Sequence, residues 1–139
     1  MAIIGRLHPL LIHFPIVLVF VASAAEGASA LRKDDRWRWV AVTILRAAAL
    51  CGVLAAVAGW RLAATGEVEA TALLEWHRWL GTAGAVVTAA AAATTWLDRR
   101  SGLFGVWSYR ITLLGATGLV GIAGHLGALL VWGVNYFRP

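Results

Sequence analysis

Residues Ile111 to Gly133 read ITLLGATGLVGIAGHLGALLVWG, a run without Asp, Glu, Lys or Arg in which His125 is the one titratable side chain. At about 1.5 Å of rise per residue the run is long enough to cross a hydrocarbon core about 30 Å thick. Only a helix or a closed barrel satisfies every backbone group in lipid, so the run is a transmembrane helix. Working outward, Pro9–Leu31, Trp39–Trp60 and Trp79–Trp96 have the same character. Four spans fill almost the whole chain, which makes residues 1–139 one domain. Ala28-Ser29-Ala30 imitates a signal-peptide cleavage site, but His13 and Pro15 interrupt the apolar stretch before it.

Composition agrees. Of the 139 residues 60% are hydrophobic and 14% charged, where a soluble domain carries about 25% charge. The net charge of +5 comes from short stretches between the apolar runs, so it reports membrane topology and not affinity for nucleic acid. Cys51 is the one cysteine, which excludes an intrachain disulfide and a c-type haem attachment. The loops are too short to build a soluble hydrolase or a dinucleotide-binding enzyme.

Tryptophans mark the span ends, since an indole is satisfied at the headgroup level. Trp37, Trp39, Trp96 and Trp107 belong to one side, Trp60, Trp76, Trp79 and Trp132 to the other. Arg32, Lys33, Arg36, Arg38, Arg99, Arg100 and Arg110 cluster on the first side, against Arg6, Arg61, Arg78 and Arg138 on the second. The positive-inside rule then predicts a multi-pass protein of the bacterial cytoplasmic (inner) membrane, with both termini and the loop carrying Glu67, Glu69 and Glu75 on the periplasmic side. Thr65-Gly66 signals a turn in that loop, and Thr71 is placed to cap the next helix. The segment Asn135-Tyr136-Phe137-Arg138-Pro139 reads as an interfacial anchor or a subunit contact.

Short connections predict an all-α, up-down-up-down four-helix bundle. Helices in lipid associate through small residues. The third span offers Gly81, Gly84 and Ala89–Ala93, the fourth a glycine at every third position from Gly115 to Gly127. That ladder suits helix packing, or a flat cofactor where side chains are missing. Glu26 and Arg46, both toward the cytoplasmic end, are expected to form a structural pair or, for the arginine, to snorkel, with a cytoplasmic proton path or quinone contact as the alternative. Cys51 reads as a packed small side chain.

The topology gathers all four histidines at the periplasmic end. His8 and His77 fall near the interface, His13 about 5–8 Å and His125 about 10–12 Å below it. Without carboxylates at that depth each imidazole must bond to backbone, hydroxyl or water, or bind a metal. A bis-His haem b fits, because Met1 is the one methionine and His/Met ligation is thereby disfavoured. Gly118 and Gly121 share the face of His125 and would border the porphyrin. Arg78, Arg6 or Arg61 would meet its propionates. His8 and His13, about 140° apart on a helix, cannot serve one iron. Depth pairs His13 with His125 and His8 with His77, whereas diagonal packing pairs the first span with the third, leaving one haem or two. His13, His77 and His125 rank first as ligands, then His8. A copper or zinc site on the same imidazoles is the alternative, and purely structural histidines are a third.

The stretch Leu7-His8-Pro9-Leu10-Leu11-Ile12-His13-Phe14-Pro15-Ile16 resembles the opening motif, HPxxxHFP, of a bacterial membrane-protein family catalogued as domain of unknown function 2231. Trp76-His77-Arg78-Trp79-Leu80-Gly81 and Gly124-His125-Leu126-Gly127 with Leu130-Val131-Trp132-Gly133 extend the likeness over essentially the whole chain, and Ala128 stands where a glycine or small polar residue is expected. The resemblance implies four membrane helices and association with bacterial respiratory or redox proteins, including fusions to Rieske-type modules, but no established activity.

Together these features predict a b-type electron-transfer subunit more than a stand-alone enzyme. It would relay electrons between quinol or a membrane redox enzyme and a periplasmic carrier. The alternative is a non-catalytic anchor of a larger redox complex.

Overall fold

The computed structural model describes residues 2–136, with the side chains of Ala2 and of residues 97–101 outside the description. The segment from 137 to the C-terminus, including part of the expected interfacial anchor, also lies outside it. Five helical elements follow one another: α1 (Ala2–Arg6), α2 (His8–Leu11), α3 (His13–Arg32), α4 (Asp35–Ala63) and α5 (Ala72–Trp132). Pro9 sits in the first turn of α2, where its missing N–H costs nothing. Among the described residues, Ile3–Arg32, Asp35–Ala63 and Gly102–Trp132 are long and apolar enough to cross a membrane.

These bounds run beyond the expected ones except at the end of the last span, which stops at Trp132, and the third and fourth spans are joined in α5. Gly102, at φ 57° and ψ −134°, breaks the helical path inside it. Few side chains other than hydrogen tolerate that backbone. Contacts across α5 converge on Gly102: His77 lies against Gly127, Gly84 against Val120, Gly115 against Val87, and Thr94 Oγ1 is 3.4 Å from Thr112 Oγ1. The element is therefore an antiparallel helical hairpin. Its first arm, which carries glycine, threonine and tryptophan between its aliphatic residues, is not among those three spans. Thr82, Thr88, Thr94 and Thr95 each donate to a carbonyl of the same arm, which makes them tolerable in lipid.

The first half of the molecule folds the same way. His8 meets Gly59, Pro15 meets Gly52, and Glu26 meets Arg38, converging on Lys33, which ends α3 in the left-handed region at φ 53°. Asp34 accepts from the Arg36 N–H and starts α4. One sequence offset separates His8 from His77 and Lys33 from Gly102, and an offset one residue shorter separates Ala55 from Ala123 and Gly59 from Gly127. The four-helix bundle is thus two helical hairpins in tandem, both beginning at the same end.

Small residues hold the bundle. Ala22, Ala48, Ala58, Ala91 and Ala116 are fully buried beside Val19, Leu45 and Tyr109, as expected where dispersion and close approach replace the hydrophobic effect. The glycine ladder of the second α5 arm rotates as it rises. Gly121 meets Phe20, Gly124 meets Ile16, Gly115 meets Val87 and Gly127 meets His77, so the ladder serves two neighbouring helices.

The expected Glu26–Arg46 pair does not form. Glu26 is 5% exposed, and its Oε1 accepts from Arg38 Nη1 at 3.0 Å and Arg110 Nε at 2.8 Å, tying three helices together. Arg46 lies a further two turns along α4, donates to Thr95 Oγ1 at 3.0 Å and covers the Trp96 ring.

Candidate functional site: a duplicated histidine seat

His8 opens α2 and His77 lies in the second turn of α5, so the two hairpins deliver one imidazole each to the same end of the bundle. His8 Nδ1 is 2.9 Å from the carbonyl oxygen of Ala55, and His77 Nδ1 is 2.9 Å from that of Ala123. A carbonyl only accepts, so Nδ1 carries the proton in both rings and a neutral imidazole holds its lone pair on Nε2. Neither Nε2 has a hydrogen-bond partner among the described residues.

The glycine four residues after each carbonyl explains how the rings reach it. Residues i and i+4 share a helix face, so a ring approaching the carbonyl of Ala55 must pass over residue 59. A Cβ on Gly59 would stand 2.8 Å from His8 Cε1, and one on Gly127 would stand 3.0 Å from His77 Cε1. The two seats are chemically the same: histidine from the first helix of a hairpin, carbonyl and glycine from the second. Their ring centres are 6.1 Å apart with the planes at 74°.

Beneath the rings a cavity of about 310 Å³ runs between the hairpins. Its walls are mainly alanine, glycine and aliphatic side chains, and its polar groups are the two imidazoles, Arg78, Trp60, Thr82 and Thr88. The volume lies at the lower end of small-molecule and cofactor sites, which run from about 300 Å³ upward. Trp60 is turned inward from its expected interfacial place. Its Nε1 donates to Thr82 Oγ1 at 2.9 Å, and its ring meets Trp79 edge-on. The Arg78 guanidinium carbon lies 3.9 Å from the centre of a Trp60 ring. Arg6, another expected propionate partner, instead pairs with Glu67 at the exposed loop, and Arg61 is exposed outside the cavity walls.

The remaining sequence candidates lie elsewhere. His13 and His125 are exposed on the outside of the bundle, and neither lines the cavity. Gly118 faces open space and Gly121 packs on Phe20. The structure brings together His8 and His77, the pair that equal depth associates. Gly59 and Gly127 matter through a relationship that sequence spacing hides, because each glycine meets a histidine from another helix.

The family model described as "Predicted membrane protein (DUF2231)" matches residues 6–136. The chain belongs to this family. The matched region contains both histidine seats and the whole cavity lining. No curated protein and no solved structure matches the chain.

Proposed function

We propose that this DUF2231 protein is a membrane-embedded b-type cytochrome in which His8 and His77 would hold one haem through their Nε2 atoms. The duplicated seat carries the reading. Each ring is fixed through Nδ1 and keeps Nε2 free, and with the ring centres 6.1 Å apart the two histidines would be the residues to hold one haem iron between them. Each ring donates Nδ1–H to a main-chain carbonyl, which orients the ring, selects its tautomer and raises the basicity of Nε2. Two equivalent ligand helices suit a flat ring with near two-fold symmetry, and the small-residue walls suit its apolar faces.

Among the described residues no group of three His, Cys, Asp or Glu is gathered that would hold a metal. Two imidazoles therefore suit axial ligation of a macrocycle better than a copper or zinc site of three or four protein ligands. Bound haem supplies reversible one-electron chemistry. The protein's part is to hold the ligands, exclude water with the alanine and glycine walls, and set the potential through the carbonyl bonds. With the cationic Lys33 side of the bundle in the cytoplasm, the site lies near the periplasmic face of the bacterial inner membrane. With a haem bound there, quinol or a membrane redox enzyme would be the donor and a periplasmic carrier the acceptor.

The test is a dithionite-reduced minus oxidised spectrum of the purified full chain, with a pyridine haemochrome assay. The expected result is one haem b per chain, lost in His8→Ala and in His77→Ala and retained in His13→Ala and His125→Ala. A flat spectrum from protein made with ample haem would overturn the proposal. Retention of the full band in both inner-histidine variants would overturn the ligand assignment.

A second reading, a non-catalytic membrane subunit, is favoured by the outward placement of His13 and His125. Imidazoles facing hydrocarbon are costly, and a neighbouring subunit would give them partners. It predicts co-purification of that subunit with wild-type chain and its loss when both outer histidines are replaced by leucine.

A further inference from the structure

The two histidine seats repeat, but their surroundings do not. By the offset that relates the hairpins, Arg78 takes the place that Pro9 holds beside His8. By the slightly shorter offset, Trp60 takes the place of Ala128. A guanidinium stacked on an indole therefore stands on one side of the cavity only.

That guanidinium is built into place. Trp60 is held by its bond to Thr82 and by the edge of Trp79, and the Arg78 guanidinium carbon lies over its ring, 3.9 Å from the centre, a cation–π contact that uses the face of the cation and no N–H donor. Arg78 Nε is buried and has no hydrogen-bond partner, and no carboxylate among the described residues forms an ion pair with Arg78. A buried donor on a cation is expensive to leave unmet. Of the other polar groups lining the cavity, Thr82 and Thr88 each donate to a carbonyl of their own helix, Trp60 is only a donor, and in the haem reading the two Nε2 lone pairs are given to the iron. The missing partner is therefore an acceptor carried by the cavity's occupant, with a negative charge matching the arginine.

We infer that Arg78 is the receptor for a carboxylate of the bound ligand, and that this contact selects one of the two orientations that the duplicated histidines would otherwise allow. Resting on the haem reading above, the carboxylate is a propionate. A planar guanidinium can meet it through two parallel hydrogen bonds, while the contact with the Trp60 ring holds the guanidinium at the cavity wall. Thr82 and Trp60 are positioning residues that act through Arg78.

The test titrates ferric protoporphyrin IX and its dimethyl ester, which lacks both carboxylates, into the purified full chain in detergent. The wild-type chain is expected to bind the free acid at least tenfold more tightly than the ester. Arg78→Gln should lower affinity for the acid by a similar factor, leave ester binding unchanged, and so erase the preference. Arg78→Lys, which keeps the charge but not the fork, should recover only part of it. Nuclear magnetic resonance of the haem methyl groups should show one dominant orientation in wild type and a mixture in Arg78→Gln. Equal binding of acid and ester by wild-type protein would overturn this inference while leaving haem binding intact. Binding of neither would overturn the haem reading and the inference with it. The acid-ester comparison in wild type does not depend on any variant folding.

Discussion

Gly59 and Gly127 turn a helix surface into a place where an imidazole can reach a main-chain carbonyl. Replacing a helical glycine by alanine ordinarily stabilises a helix by about 0.5–1 kcal/mol. Here the sign should reverse, because the new Cβ would stand 2.8 Å from His8 Cε1 or 3.0 Å from His77 Cε1. Gly59→Ala and Gly127→Ala are each expected to destabilise the bundle by about 1–3 kcal/mol, as overpacking does, whereas Gly118→Ala, which meets nothing within 4 Å, should be neutral or stabilising. Thermal unfolding of the three variants in one detergent checks the contrast, and a Gly59 variant as stable as the Gly118 variant would mean that the His8 seat is not occupied as described. The four histidines are legible in the sequence as a cluster at one end. Their division into an inner pair and an outer pair is not, since span boundaries alone leave the rotation of each helix about its axis unspecified. That rotation puts Nδ1 of His8 on Ala55 and leaves His13 outside.

At the scale of elements, both hairpins turn at residues with positive φ, Lys33 at 53° and Gly102 at 57°. The two differ in what they demand. Lys33, with ψ 40°, lies in the left-handed helical region that ordinary residues visit at modest cost. Gly102, with ψ −134°, lies where a Cβ is strongly disfavoured. Gly102→Ala should therefore cost about 1–3 kcal/mol, and Lys33→Gly should be neutral or slightly stabilising. Circular-dichroism melts of the two variants test this asymmetry, and an unchanged melting temperature in Gly102→Ala would show that the α5 hairpin turns elsewhere. Hydropathy marks where these helices run, and Thr71 is recognisable as a cap from its residue type and its place before an apolar run. The hairpin nature of α5 emerges only from contacts such as Gly84 with Val120, because a helix and a helix folded on itself have the same composition.

Across the whole molecule, the duplicated hairpins place the two histidine seats and the 64–71 loop at one end, with Lys33 and Gly102 at the other. The proposed orientation predicts that a cysteine at Gly66, in a chain whose Cys51 has been replaced by serine, is labelled by a membrane-impermeant maleimide in intact spheroplasts. A cysteine at Lys33 should label only after the membrane is opened. The reverse pattern would put the histidines on the cytoplasmic face and change the proposed electron acceptor. The Glu26–Arg38–Arg110 cluster at the Lys33 end shows why the pairing expected for Arg46 fails. Arg38 lies just across the turn from Glu26, and Arg110 comes from the second hairpin at the same level, whereas Arg46 is two turns deeper and meets Thr95 and Trp96.

Residue order alone dictates the membrane-spanning, all-helical character of the chain, the approximate ends of its helices and the gathering of histidines at one end. Those features follow from the cost of charge and unpaired backbone in hydrocarbon, which acts on composition and order. Tertiary packing sets which histidines face one another, which glycines seat them and where Arg78 lies relative to the cavity. Each of these depends on the azimuth and register of one helix against another, and those are set by close packing of small side chains. Many rotations would satisfy the same hydropathy pattern, and the one the packing adopts lets each imidazole pass over a glycine to a carbonyl of the neighbouring helix.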